Sequence, residues 1–225
     1  MIWLIFSPHM DFSTIEDVKI QPDIDVYEIL HQQYVLWRRK SERITNDEIW
    51  YTSTDGNVVT PTSTTGFGAS IVSNTYTDGK GIIKFDGDVT FIAKNTFSNK
   101  TTLASIEIPN AVTIIDEMAF NSCYGLTSVN IPDSVTDIKT GAFIHCTGLT
   151  SIEIPSSVTT IGGYAVFYNC NSLTSITCLR TTPPTIGTTI FDNTNNCPIY
   201  VPAESVNAYK TATNWSKYAN RIQAI

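Results

Sequence analysis

From Leu126 to Gly148 the chain reads Leu-Thr-Ser-Val-Asn-Ile-Pro-Asp-Ser-Val-Thr-Asp-Ile-Lys-Thr-Gly-Ala-Phe-Ile-His-Cys-Thr-Gly, and at Leu149 the same pattern begins again. Self-similarity at a fixed period of this size marks a solenoid, in which a unit too small to bury its own apolar face folds only by stacking on its neighbours. The first apolar residue of each Ile-x-Ile core falls at Ile83, Ile106, Val129, Ile152, Ile176 and Ile199, at spacings of 23, 23, 23, 24 and 23. Phe97, Phe120, Phe143, Phe167 and Phe191 follow at 23, 23, 24 and 24. The extra residue before Phe167 falls beside Gly162 and Gly163, which can absorb it as a bulge.

Inside a unit, Leu103, Ile106 and Ile108 point toward the interior, and Val112 and Ile115 begin a second short extended run on the opposite side. Pro109, Pro132 and Pro155 end the first strand, where a missing amide donor costs least. Ala119 and Phe120, with Ala142 and Phe143, fill the wedge between the two rows. The expected fold is mainly β, a stack of about five 23-residue coils over residues 82–202. Residues 1–45 form an N-terminal helical segment, residues 46–81 a β-hairpin segment leading into the repeats, and residues 203–225 a C-terminal helical cap.

Before the repeats, a helix is expected from Pro22, with Asp23 and Asp25 at its positive end and Arg38, Arg39 and Lys40 at its negative end. Its apolar residues occupy more than one stripe, so it must bury two sides. That reads either as a cap on the first repeat or as a docking or self-association element through residues 20–40. Residues 49–61 read as a hairpin turning at Asp55-Gly56, and residues 71–85 as a second turning at Asp78-Gly79. After the last repeat, residues 203–210 read as a short helix with Val206 and Tyr209 facing in, while Trp215, Tyr218, Ile222 and Ile225 cover the final coil.

A net charge of -7 and a pI of about 4.8 argue against nucleic acid and anionic membranes as partners, since both require clustered Lys and Arg. The N-terminal apolar run, residues 2–6, lacks the flanks and length of a signal peptide, and Met10 is an alternative start. No cysteine precedes Cys123, so no lipid-bearing cysteine is expected at the N-terminus, and no membrane insertion is expected. Cys123, Cys146 and Cys170 each lie three residues after a repeat phenylalanine, so they read as one ladder of buried, reduced thiols.

Catalytic and metal readings are weak. His145 and Cys146 are adjacent in an extended coil and therefore face different ways. His9 and His31 have no companions at ligand spacing, and Asp86-Gly87-Asp88 lacks the other ligands of a calcium loop. No phosphate-binding loop, zinc-protease helix or nucleophile elbow is present. No enzyme activity and no cofactor are expected.

The Ile-Pro, Ser-Val-Thr, Ala-Phe and Cys positions of these units resemble the BspA-like leucine-rich repeat family of bacterial surface and secreted proteins over residues 82–202. The segment Glu48 to Gly56 and the closing Ile-Tyr-Val-Pro with Asn214-Trp-Ser are similar to flanks on such proteins from gut Bacteroidales and their phages. The resemblance implies a right-handed leucine-rich-repeat solenoid, adhesion or binding of a host or partner macromolecule, no catalytic residues, and an extracellular, cell-surface or virion location. Protein or glycan ligands are expected on the outward positions of the first strand: Ser105, Glu107, Ser128, Asn130, Ser151, Glu153, Ser175 and Thr177. Lys84 and Tyr200 lie in the same columns. These columns are otherwise poor in the Trp, Tyr and Arg that anchor tight interfaces, so a repeat that serves only as spacer or decoration in an assembly is the other reading.

Overall fold

The computed structural model describes residues 44–225. The helix expected from Pro22, the contact through residues 20–40, and His9, Met10 and His31 lie outside the described residues.

The repeat strands stack in parallel on two sides of the coil. One side carries the longer strands β5 (Leu103–Glu107), β7 (Ser128–Asn130), β9 (Ser151–Ile154), β11 (Ser175–Cys178) and β13 (Ile199–Val201). The other carries two-residue strands: β4 (Phe91–Ile92), β6 (Ile114–Ile115), β8 (Asp137–Ile138), β10 (Thr160–Ile161) and β12 (Thr185–Ile186), in the order β12-β10-β8-β6-β4. The turn between the sides is anchored on the proline that ends the long strand. Val112, Val135 and Val158 each donate their amide to the carbonyl of Pro109, Pro132 and Pro155, at 3.0–3.1 Å.

Hydrogen bonds one coil apart join neighbours on every side. Thr113, Thr136 and Thr159 donate their amides to Thr90, Thr113 and Thr136 at 2.9 Å. On the phenylalanine side the sense reverses, and Phe97 and Phe120 donate forward to Ala119 and Ala142 at 2.8 Å. The rings form a column: Phe97, Phe120, Phe143, Phe167 and Phe191 lie 5.1–5.7 Å apart with interplanar angles of 1–9°. Identical residues at a fixed period leave each ring no environment but the next, so the offset-stacked arrangement propagates. The column ends where the geometry changes. Phe67 meets Phe97 edge-on at 6.0 Å, and at the far end Trp215 is tilted by 46° against Phe191 while Tyr218 meets it edge-on.

The leading segment differs from the sequence expectation. The second hairpin is present, as β2 (Ile71–Thr77) and β3 (Lys80–Phe85), with Asp78 at φ 51° and Gly79 at φ 81° supplying the turn. The first hairpin is not. Residues 49–53 lie in β1 (Glu48–Ser53), but no strand returns through residues 57–61. Both edges of β1 are already taken: it runs antiparallel to β3 on one side and to β5 on the other, giving the sheet order β2-β3-β1-β5-β7. Val59 is served by side chains instead, donating its amide to Tyr51 Oη at 3.2 Å and accepting from Asn74 Nδ2 at 3.0 Å. The strand bearing Ile83 therefore does not stack on the strand bearing Ile106. Ile49 pairs with Ile83 and Tyr51 with Ile106. Tyr51 lies across Gly81, where any Cβ would collide with the ring.

The C-terminal end also departs from expectation. Residues Ala203–Ser205 form a 3-10 turn and Val206–Thr211 an α-helix, with Tyr209 buried and Val206 half-buried. The period then continues through the aromatics. Trp215 is 24 residues beyond Phe191 and packs on it, and Ile222 is 23 beyond Ile199 and pairs with it in parallel through β14 (Ile222–Ala224). Trp215 is fully buried, with Nε1 donating to the Pro184 carbonyl at 2.8 Å. Ile225, expected inside, is 66 % exposed, because it lies one residue past the end of this strand.

Two outcomes check this packing. Phe143→Ala removes the central ring of the column and should lower the unfolding free energy by about 3–5 kcal/mol in denaturant titration. Gly81→Ala drives a methyl into Tyr51 and should cost about 1–3 kcal/mol, with tyrosine near-UV dichroism changed, whereas Gly79→Asn, in a turn that tolerates left-handed residues, should cost far less.

Candidate functional site

The pleat of the long-strand sheet sends alternate residues outward. Between Ile106 and Ile108, and between Ile152 and Ile154, the buried isoleucines leave Glu107 and Glu153 in solvent. Two rows result. In the first, Glu107 lies beside Asn130 and Glu153 beside Thr177, with Tyr200 next after Thr177; in the second, Ser105 lies beside Ser128 and Ser151 beside Ser175. Paired strands are spaced by about 4.8 Å. The ladder is interrupted between β7 and β9, where Thr150 donating its amide to Thr127 at 3.2 Å still holds the coils together.

The predicted positions are thus on one face, but they are not equivalent. Glu107, Ser128, Asn130, Ser151 and Glu153 are exposed, whereas Ser105, Ser175, Thr177 and Tyr200 are half-buried. Ser105 is also engaged, its hydroxyl 2.6 Å from Thr52 Oγ1. Between β5 and β13 the outward residues carry no basic group, so the only formal charges on this stretch are Glu107 and Glu153.

The sequence missed what β1 brings to the same face. Trp50 stands in register with Glu107 on one side and Ile82 on the other, and Thr52 with Ser105. Trp50 is held on two sides: its Nε1 donates to Glu48 at 2.6 Å, and Lys80 Nζ lies 2.9 Å from its ring centroid. Glu48 also pairs with Lys84 at 2.9 Å, an interaction that raises the Lys84 pKa above its ordinary value. The face is therefore not devoid of aromatics. It has a fixed indole at one end and Tyr200 toward the other. The alternation of Glu48, Trp50 and Thr52 with buried Ile49 and Tyr51 was readable as a strand; its place between β3 and β5 was not.

The chemistry-bearing residues off this face are separated. Cys123, Cys146 and Cys170 are buried, and each thiol donates to a phenylalanine carbonyl of the preceding coil at 3.0–3.1 Å. His145 sits at φ 60°, its Nδ1 3.1 Å from Asn169 Nδ2, and is turned away from the Cys146 column. All five cysteines are free, and burial pushes the Cys123 thiol up to about 12 and Cys146 well up, the latter helped by the neighbouring Cys170 thiol. Among the described residues no group of three or more His, Cys, Asp or Glu side chains is placed to hold a metal ion, and no helix is long and apolar enough to cross a membrane. Two recesses lie at the C-terminal end, one of about 290 Å³ lined by Asp192, Lys217 and Arg221, the other of about 180 Å³ beside Trp215. In the first, Lys217 is paired with Asp192 at 2.7 Å, and Arg221 donates to the Cys197 and Phe191 carbonyls.

The BspA type leucine rich repeat region family model matches residues 79–217 in six copies. A leucine rich repeat protein of T. pallidum superposes with a TM-score of 0.51 at 25 % identity, covering 63 % of this chain; the chain spans 64 % of that protein. A leucine rich cell surface protein from Faecalibacterium prausnitzii A2-165 matches with a TM-score of 0.46 at 24 % identity over 59 % of this chain and 33 % of its own. A leucine-rich repeat protein from Bacteroides ovatus matches with a TM-score of 0.29 at 23 % identity over 56 % of this chain and 45 % of its own. No curated protein matches the chain in sequence.

The buried thiols give a measurable outcome. A thiol whose folded pKa is raised adds stability below its unfolded value of about 8.5, and that contribution is lost as pH rises toward the folded value. Unfolding free energy should therefore fall as pH is raised above about 8.5. Cys123, Cys146 and Cys170 should resist alkylation in the folded protein and each take up one alkyl group, without prior reduction, once it is unfolded; a Cys123–Cys146 disulfide in the mass spectrum would contradict this.

Proposed function

The chain belongs to the BspA type leucine-rich repeat family, and on that premise we propose that it is a non-catalytic binding or adhesion module. It recognises a protein or glycan along the outward face of its long-strand sheet, on a bacterial surface or as a phage fibre or virion component. The observation that carries this reading is the pair of rows from Glu107 to Thr177 and from Ser128 to Ser175. They present a polar group at the same place coil after coil, serine throughout one row, on a framework whose interior is filled by Ile, Leu, Val and Phe. Such rows engage an extended ligand at many weak points. In this reading a right-handed solenoid of about five 23-residue coils, capped by residues 203–225, holds the face rigid, and residues 20–40 attach the module to its assembly.

One observation favours a second reading. Ser105 is committed to Thr52, and a hydroxyl-rich face is also what any solvated sheet needs, so the repeats would then serve as a spacer or decoration in an assembly. The two separate on one variant. Glu107→Lys, Asn130→Lys and Glu153→Lys combined should abolish capture of the ligand found in a screen of glycans and host proteins with the full chain. The far-UV spectrum and melting temperature should stay unchanged, because all three side chains are in solvent. Retained affinity in the triple variant would remove the face from recognition.

A further inference from the structure

We propose that the occupant of this face is a neutral, linear polysaccharide lying across the strands, from Glu107 to Tyr200; this rests on the reading above and narrows it to one ligand class. Three observations point the same way. The first is spacing. Going from β5 to β13 crosses four inter-strand steps of about 4.8 Å, about 19 Å in all, and one step is close to the length of a pyranose unit in an extended chain. A ligand of about four sugar units would present equivalent hydroxyls to Glu107, Asn130, Glu153 and Thr177 in turn. An extended peptide advances by about 3.3 Å per residue and repeats on one face every second residue, so it falls out of step with the rows, and peptides of that form add to sheet edges rather than across faces.

The second observation is chemistry. Glu107 and Glu153 are exposed carboxylates flanking the Asn130 amide, and Ser128 and Ser151 stand exposed in the row beside them. Carboxylates accept from hydroxyl pairs in charge-assisted bonds, and amide and hydroxyl groups both give and accept. With no basic group among the outward strand residues from β5 to β13 and a net charge of -7, uronates and sulfated chains are repelled. Protein interfaces need a desolvated apolar or arginine anchor. None of the exposed large hydrophobic residues among the described ones, Val58, Val72, Met118, Tyr124, Tyr164 or Ile225, lies on this stretch.

The third is the ends. Tyr200, half-buried and in register with Thr177, offers the last sugar an aromatic ring. At the other end Trp50 is fixed by Glu48 and covered by Lys80, so it closes the strip rather than extending it.

The full chain is titrated calorimetrically with neutral gluco-, manno-, xylo- and galacto-oligosaccharides of two to eight units, and with polygalacturonate. The expected result is binding to at least one neutral series, strengthening with length up to about four or five units and then levelling. Tyr200→Phe should preserve that affinity and Tyr200→Ala should weaken it about fivefold to tenfold, the scale of one aromatic contact, at an unchanged melting temperature. Absence of binding to every neutral series, affinity without length dependence, equal binding of polygalacturonate, or an unaffected Tyr200→Ala variant overturns the inference. If instead a protein is captured and the triple lysine variant loses it, the polysaccharide assignment falls while the binding face stands. If a neutral oligosaccharide binds the triple lysine variant undiminished, both fall.

Discussion

The backbone hydrogen bond between one coil and the next is the interaction on which this molecule depends. A single coil has nothing to pack against, and its backbone donors and acceptors run perpendicular to the coil. They are satisfied only when the next coil arrives at the same register, as Thr113 meets Thr90 and Phe120 meets Ala142. Thr113, Thr136 and Thr159 reinforce the register with side-chain hydroxyls that donate to the same carbonyls at 3.3 Å. Once that register is set, the phenylalanine column and the cysteine column follow, because at those positions each side chain is stacked on its own kind. The outward rows of Glu, Asn, Ser and Thr are the solvent side of the same constraint.

Periodic order of this kind leaves two ends that must be finished differently, and the solutions are not alike. At the N-terminal end β1 enters between β3 and β5, antiparallel to both, so the first coil is parted from the second on the long-strand side and meets it through β4 and β6 and along the phenylalanine side, where Phe97 donates to Ala119 and stacks on Phe120. The space opened on the long-strand side is filled by Ile49 and Tyr51, with the rings of Phe67 and Phe85 4.7 Å apart and tilted by 59°. At the C-terminal end the repeat is kept in register but changed in kind. Trp215 stands where a phenylalanine would, Ile222 where an isoleucine would, and a helix replaces the missing connection.

The interior coils were legible in the sequence because their signal is repeated: Ile106, Val129 and Ile152 each confirm the others, and Phe120 predicts Phe143. The ends were legible in part, in the hairpin at Asp78-Gly79 and the buried Tyr209, Trp215 and Ile222, and the rest was not, for a physical reason. A strand pattern such as Ile49-Trp50-Tyr51 specifies which side chains turn inward but not which edges its backbone will pair with. Asp55-Gly56 does make a turn, with Gly56 at φ 72°, yet the residues after it find Tyr51 Oη and Asn74 as partners instead of a ladder. Beyond Tyr200 the substitution of Trp for Phe hid a period that the backbone still obeys. The same limits applied to the candidate face, where Glu107, Asn130 and Glu153 could be placed from the repeat alone, whereas Trp50 could reach Glu107 only through a strand pairing that no local signal announced.

That β1 at one end and the Trp215 variant of the period at the other flank a run of like units has a consequence for how such a chain can change over generations. From β5 to β13 the coils repeat one inward pattern every 23 or 24 residues, so a duplication or loss of one unit there leaves β1 and Trp215 with the same kind of neighbour. A point mutation alters one rung of the outward face, while a unit gained or lost alters its reach by one rung and keeps the chemistry of all the others. Length is thus a heritable variable separate from composition, and a lineage can change the extent of this face in a single recombination event.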